Sequence, residues 1–153
     1  MVQLRCRLLL LAFCLCYLGN IDARRHRSSR VAFSAVKTTN QKMSVNQDVI
    51  FDKVLLNKGY GFRPIGVFKA PRSGMYMLTS SLFHLKEELT IQFAIVHQGN
   101  VVANFHGTND WEQFSQTVII HVKKGETVSI RNVRNNNPTI YGFNFSTFSG
   151  YLL

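Results

Sequence analysis

Cysteine is nearly absent from this sequence of 153 residues. Its three cysteines, Cys6, Cys14 and Cys16, all lie close to the start. Beyond them no residue can form a disulfide, a thiolate metal site or a cysteine nucleophile. A domain formed by the remaining residues must be held together by its hydrophobic core, by contacts between subunits, or by both.

Acidic residues and glycine are also few. Eight Asp and Glu stand against 18 Lys and Arg, and the ten Gly follow no Gly-X-Y period, which excludes a collagen triple helix. Only 17% of the residues are charged, whereas 46% are hydrophobic and twelve are Phe. This composition excludes a wholly disordered chain and predicts one globular domain with a hydrophobic core.

Long hydrophobic runs are absent, apart from a short one near the start. Leu8 to Leu18 is an uninterrupted apolar run, preceded by Arg5 and Arg7 and followed by small and polar residues up to Ala23. The run is too short to span a bilayer, which takes about 20 residues. The order of a basic, an apolar and a small-residue region predicts a cleaved signal peptide over residues 1–23, and therefore a secreted protein.

An arginine-rich linker follows at residues 24–30, with four arginines in seven positions. Three interpretations of this linker stay open. It is an arm that attracts polyanions, a convertase recognition stretch with arginines three positions apart, or a solubilising terminus. The following domain, residues 31–153, is only moderately basic, with 12 basic and 7 acidic residues.

From Val31 onward the apolar residues follow a period of two, broken by turn residues, which is typical of an all-β sandwich or barrel. The strand Leu89–Val96 and the segment Val101–Phe105 are predicted to form a hairpin around a Gly-Asn turn. Phe114–Val122 and Thr127–Val133 are interpreted as a second pair. In the latter, Val128 and Ile130 are expected to point inward, and Ser129 and Arg131 outward.

The strand Met75–Leu85 breaks the alternation, because apolar residues fall on both of its faces. Such a strand lies inside an assembly or beneath another layer, and in a cysteine-free domain we favour a subunit interface. Tyr141–Leu153 is the most aromatic part of the chain. It contains the sequon Asn144-Phe145-Ser146, in which period two places Asn144 toward solvent as a possible glycosylation site.

Three stretches in the domain resemble the globular head domain of complement C1q, the fold shared with the tumour necrosis factor ligands. Val31–Ala35 is similar to the family's opening strand, and Thr147–Leu153 to its closing strand. Between them the family's spaced aromatic, Asn and Gly residues recur at Phe51, Asn57, Phe62, Phe68, Gly74 and Tyr76. The sequence carries no collagen-like stalk, so complement activation through a stalk-bound protease is not expected.

The resemblance implies a ten-stranded jelly-roll β-sandwich over residues 31–153, assembled as a homotrimer, with the first and last strands adjacent. It assigns to the core of the fold and of the trimer the residues Phe33, Phe51, Asn57, Phe62, Phe68, Gly74, Tyr76, Phe148, Gly150 and Tyr151. Some relatives bind calcium, but no acid-rich loop in this sequence resembles an oxygen cage, so we expect no cofactor.

No sequence motif for catalysis is present. The nucleophile elbow, the HExxH helix and the phosphate-binding glycine loops are missing, and the histidines lack the short spacing of metal ligands. We therefore expect neither an enzyme nor a metal site. Surface loops on a rigid β scaffold remain, with Trp111, Arg131, Arg134 and Asn135 as candidate ligand contacts.

The function that we predict from the sequence is secreted, lectin-like recognition of microbial or altered-self surface molecules, including glycans and other anionic ligands. The alternative is a trimeric signalling ligand for a host receptor, or an extracellular scaffold. Neither nucleic acid nor a membrane span is expected.

Overall fold

The computed structural model describes residues 30–84, 90–109, 111–134 and 137–153, and Val31–Leu153 forms one compact unit. The predicted signal peptide, the linker before Arg30, and Asn135 lie outside the described residues. Within the described ranges there is no helix that could cross a membrane. Twelve strands are present there: β1 (Ala32–Val36), β2 (Gln41–Lys42), β3 (Lys53–Lys58), β4 (Phe62–Arg63), β5 (Val67–Lys69), β6 (Gly74–Phe83), β7 (Ile91–His97), β8 (Asn100–Gly107), β9 (Gln113–Val122), β10 (Thr127–Asn132), β11 (Thr139–Ile140) and β12 (Thr147–Leu152).

Ten of the described strands form two antiparallel sheets of five. The first sheet has the order β3-β1-β12-β6-β9, the second has the order β4-β5-β10-β7-β8, and β2 pairs with β11 in a small third sheet. This arrangement is the predicted jelly-roll sandwich, in which neighbouring strands come from distant parts of the chain. The first and last strands are adjacent, as predicted, with Phe33 opposite Gly150.

Aromatic side chains fill the space between the two large sheets. The ring of Phe33 stacks on Phe62 and Phe68 at centroid distances of 4.9 and 4.6 Å, and it meets the edge of Phe148 at 4.9 Å. All four rings are buried, as are Phe51 and Tyr76. Such offset and edge-on contacts add to the free energy gained by burial alone. Tyr151 differs from these core residues, because it lies on the outer side of the first sheet.

At two positions the backbone lies so close to neighbouring atoms that only glycine fits. A Cβ added to Gly150 would lie 2.7 Å from the side chains of both Leu78 and Phe33, so only glycine lets β12 pack there. A Cβ at Gly66 would lie 1.9 Å from the Val49 carbonyl oxygen, and Gly66 has a φ of 88°. The side chain of Asn57 is bonded to both the N–H and the C=O of Phe62, which closes the turn before β4.

The predicted hairpin around Gly99 is confirmed, since β7 pairs with β8. Its turn residues Gln98 and Gly99 have φ values of 50° and 83°, as the tightest two-residue turns require. The second predicted pair is wrong, because β9 pairs with β6 in the first sheet and β10 pairs with β5 and β7 in the second. The turn at residues 123–126 therefore crosses between the sheets.

One expectation about which residues face solvent is wrong. Ser129 is buried, because its short side chain lies between Val67 and Val96 on the neighbouring strands. Asn132 ends β10 and is fully buried, with its amide donating a hydrogen bond to the Ser44 carbonyl at 3.1 Å.

The long strand β6 alternates strictly. Tyr76, Leu78, Ser80 and Leu82 are buried, whereas the residues between them face the outside of the first sheet. The buried Ser80 hydroxyl has a hydrogen-bond partner, because it donates to the Thr147 carbonyl at 3.0 Å. The apolar residues on the outer side remain without a covering layer in the described chain, so the subunit interface stays a prediction.

Strand pairing defines the two ends of the sandwich. Phe83 pairs with Gln113, Ile91 pairs with Gly107, and Asn132 pairs with Phe93, so residues 107–109, 111–113, 132–134 and 137–139 lie at one end, the loop end. Gly74 pairs with Val122 at the opposite end, the base, where the turns 59–61, 69–73 and 123–126 connect the two sheets.

Candidate functional site

The outer side of the first sheet carries several exposed apolar side chains. In the strand register, Met77 on β6 lies between Tyr151 on β12 and Ile119 on β9. Ile119 and Tyr151 keep 56% and 45% of their surface exposed, and the Tyr151 hydroxyl donates to Met77 Sδ at 3.3 Å. A group of exposed apolar side chains of this kind is typical of an interface with another protein.

An aromatic cluster continues this outer side toward the loop end. The ring of Phe83 lies 5.1 Å from Phe145, 5.7 Å from Tyr141 and 6.3 Å from Trp111, measured between centroids. Phe143 packs on Tyr141 at 5.2 Å. Trp111 and Phe143 each keep 63% of their surface exposed. We call these five residues the aromatic cluster.

Residues 141–146 form a turn rather than the start of the last strand, which begins at Thr147. For this reason the predicted alternation fails here, and Phe143, Asn144 and Phe145 are all exposed. Phe143 and Asn144 adopt positive φ values of 52° and 67°. The Ser146 hydroxyl fixes the turn, because it donates to the Tyr141 carbonyl at 2.9 Å. The candidate glycosylation site Asn144 therefore lies on an exposed turn beside the aromatic cluster.

Glu112 organises the loop that presents Trp111. One carboxylate oxygen, Oε2, accepts hydrogen bonds from the backbone N–H of Thr108 at 2.7 Å and of Asn109 at 2.9 Å. The Glu112 carbonyl accepts the N–H of His84 at 3.2 Å, which ties the loop to the end of β6. The N–H donors of Asn109 and Thr108 lower the pKa of Glu112, because they stabilise its ionised form.

His84 is buried beside this loop, against the ring of Phe114 at 5.8 Å. Neither of its ring nitrogens has a hydrogen-bond partner among the described residues. Within the ranges that the structure describes, no three His, Cys, Asp or Glu side chains approach closely enough to hold a metal ion. His84 packs against Phe114 and lies next to Gly107 in this part of the chain.

The three candidate ligand residues that the structure describes are not gathered in one place. Trp111 packs on Phe83, whereas the guanidinium of Arg131 donates to the Asp48 carboxylate from Nε at 2.7 Å and from a terminal nitrogen at 3.3 Å. These hydrogen bonds raise the pKa of Arg131. Arg134 is exposed at the loop end, and Asn135 lies outside the described residues. Trp111 and Arg134 thus share the loop end but have different neighbours.

The sequence did not reveal the aromatic cluster. Phe83 and Phe145 come from segments far apart in the chain, and period two assigned Phe143 and Phe145 to a buried face. The only signal was the high aromatic content after residue 140. The contact between Arg131 and Asp48 was also missed, since 83 positions separate the two residues.

We expect acidification to loosen the loop that Glu112 organises. The pKa of Glu112 is lowered in the folded protein from an ordinary value of 4.5, so its stabilising effect is complete above that pH. The effect is lost as the pH falls through the folded value. Amide hydrogen exchange at Thr108 and Asn109 should therefore be faster at about pH 3 than near neutrality, after correction for intrinsic rates.

The matched variants are Glu112→Gln and Glu126→Gln. Glu126 also has a lowered pKa, caused first by the Lys123 N–H and then by the His97 side chain, but it lies at the base. Glu112→Gln should remove the acid response at Thr108 and Asn109, whereas Glu126→Gln should preserve it. An unchanged acid response in Glu112→Gln would contradict this assignment.

The fold defines a class of protein. Two antiparallel five-stranded sheets with the first and last strands adjacent form a jelly roll of the kind shared by C1q heads and tumour necrosis factor ligands. The model of the C1q domain family matches residues 32–153, and this chain belongs to that family.

Known proteins and structures agree with this assignment. Human complement C1q tumor necrosis factor-related protein 3 is 30% identical over 132 residues, which cover 81% of this chain and 51% of that protein. The chain therefore spans about half the length of the curated relatives it matches.

Two solved structures share the fold at low sequence identity. The globular domain of zebrafish complement 1qA protein has a TM-score of 0.67 at 17% identity, covering 82% of this chain and 98% of that one. The Eiger TNF structure from S. frugiperda has a TM-score of 0.70 at 11% identity, covering 81% and 92%.

Proposed function

We propose that this protein is a secreted, non-enzymatic recognition protein that assembles as a homotrimer and binds microbial or altered-self surface molecules at its loop end. The observation that carries the proposal is the exposed apolar outer side of the first sheet, around Met77, Ile119 and Tyr151. Copies of the chain would cover this side by closed symmetry, which leaves the second sheet and the loops in contact with solvent.

The ligand contacts are assigned to two exposed side chains at the loop end. Trp111 offers an exposed ring on a loop held by Glu112, and Arg134 offers an exposed guanidinium that forms directed hydrogen bonds to sulfate, phosphate, carboxylate or sugar hydroxyl groups. Arg131 forms an ion pair with Asp48. Its role in this proposal is therefore to fix β10 to the segment around Asp48 rather than to contact the ligand.

The test is a glycan array probed with the full secreted chain and with the variants Trp111→Ala and Arg134→Ala. We expect each variant to lose about tenfold in binding, the factor that 1.4 kcal/mol of lost contact energy produces. The matched controls are Ile65→Ala, an exposed apolar residue, and Lys42→Ala, an exposed cation.

Three outcomes contradict parts of the proposal. If Trp111→Ala dissociates the oligomer, the ring serves assembly and not recognition. If the controls lose as much binding as the variants, the loop end is not the site. If the wild-type chain binds no glycan but saturates a single cell-surface receptor, the protein is a signalling ligand instead.

A further inference from the structure

A basic cleft lies at the base of the sandwich, at the opposite end from the loops discussed above. It has a volume of about 250 Å³. The residues that line it include Tyr60, Arg63, Lys69 and Lys124, together with Gly61 and Gly125. We call it the basal cleft. Three cations thus converge here from β4, from β5 and from the turn after β9.

Backbone hydrogen bonds hold the basal cleft in shape. The Lys69 N–H donates to the Gly61 carbonyl at 2.8 Å, and the Gly125 N–H donates to the Ala70 carbonyl at 2.8 Å. The Ala70 N–H donates in turn to the Glu126 carbonyl at 2.9 Å. The three turns that form the cleft are therefore tied to one another, so a ligand would not have to order them.

No ion pair joins a cation of the basal cleft to a carboxylate in the described chain. The two ion pairs of the described residues join His97 to Glu126 and Arg131 to Asp48. The other two described carboxylates are engaged by backbone and hydroxyl donors, Asp52 by Thr38 and Glu112 by its own loop. Cations that lie close together and form no ion pair favour an anionic ligand, because such a ligand relieves their mutual repulsion.

Tyr60 indicates which class of anion fits. Its side chain is 91% exposed, and its backbone is held at a φ of 57° by the N–H bond to the Asn57 carbonyl at 3.3 Å. One aromatic ring beside three spaced cations suits a chain of sugar rings that carry anionic groups. Sites for single-stranded nucleic acid instead present several rings on which successive bases stack.

We propose that the basal cleft binds a sulfated polysaccharide. Arg63, Lys69 and Lys124 contact the sulfate groups, and the ring of Tyr60 packs against a sugar. The cleft is formed by turns between the sheets and by the second sheet. Assembly through the outer side of the first sheet therefore leaves it open. The site depends on the proposed extracellular location, but not on ligand binding at the loop end.

The experiment compares two double variants of the full secreted chain that change the net charge equally. Arg63→Glu with Lys124→Glu removes two cations of the cleft, and Lys42→Glu with Lys53→Glu removes two exposed cations elsewhere. Heparin is the probe, measured across a range of salt concentrations. Melting temperature and light scattering confirm that each variant is folded and assembled.

We expect the cleft variant to bind heparin at least about tenfold more weakly than the control variant, as the loss of about two charge-assisted contacts predicts. Its plot of log affinity against log salt should also be shallower by about two. Tyr60→Ala should weaken heparin binding, and Tyr60→Phe should restore it. Ile65→Ala, which truncates an exposed apolar residue outside the cleft, should leave heparin binding unchanged.

The proposal is overturned if both double variants lose the same affinity, since binding would then follow net charge and the arginine-rich linker common to all variants. It is also overturned if desulfated heparin or single-stranded DNA binds as tightly as heparin, because the cleft would then not select a sulfated sugar chain.

Discussion

Removal of Phe148–Leu153 is expected to yield a chain that does not fold. This segment contains nearly all of β12, which lies between β1 and β6 in the first sheet and pairs with both. The deletion also removes the buried ring of Phe148, which contacts Phe33, Phe51 and Phe62. Each fully buried apolar side chain contributes about 1.5–3 kcal/mol, and a domain of this size is stable by only about 5–15 kcal/mol.

Near-ultraviolet circular dichroism and dispersion of amide proton signals measure the outcome. The control is deletion of Leu153 alone, because this residue is largely exposed and contributes one N–H bond to the Met75 carbonyl. We expect the control to fold with a small loss of stability. A truncated chain that keeps cooperative thermal unfolding after loss of Phe148–Leu153 would contradict the role assigned to β12.

The second large effect concerns assembly. Met77→Arg with Ile119→Arg places two charges at the centre of the outer side of the first sheet, where the two residues are direct neighbours in the register. Burying charges without partners between subunits is costly, so we expect the variant to be a folded monomer. The wild-type chain should have three times the protomer mass by light scattering.

A matched control and a thiol test sharpen this prediction. Val101→Arg with Val102→Arg charges two exposed apolar residues on β8 of the second sheet, and we expect this variant to remain trimeric. Because residues 31–153 contain no cysteine, reducing agent should not change the mass of the wild-type assembly. A wild-type monomer at micromolar concentration, or equal dissociation of both variants, would refute the interface.

The sequence predicted those features of the fold that depend on local pattern. Period-two segments predicted the strands, because alternation determines which side chains share a face. The resemblance to the C1q head assigned Phe33, Phe62 and Phe68 to the core. Resemblance to the C1q head predicted the pairing of β1 with β12, which no local pattern encodes.

Other features escaped the sequence because they depend on distant neighbours. The pattern around the turn at residues 123–126 is the same whether β9 and β10 pair or belong to separate sheets. Ser129 is buried only because Val67 and Val96 flank it. The basal cleft combines Arg63, Lys69 and Lys124 through the packing of three turns, and the sequence had suggested the loop end and the arginine-rich linker as the basic regions instead.

The central place of β12 also determines the order in which the first sheet is completed during synthesis. Until Thr147–Leu152 leave the ribosome, β1 and β6 each expose one edge with unpaired N–H and C=O groups. The buried rings of the core likewise lack Phe148 during this interval. The nascent domain therefore keeps two unpaired strand edges, which favour wrong strand pairing, until synthesis has passed these residues.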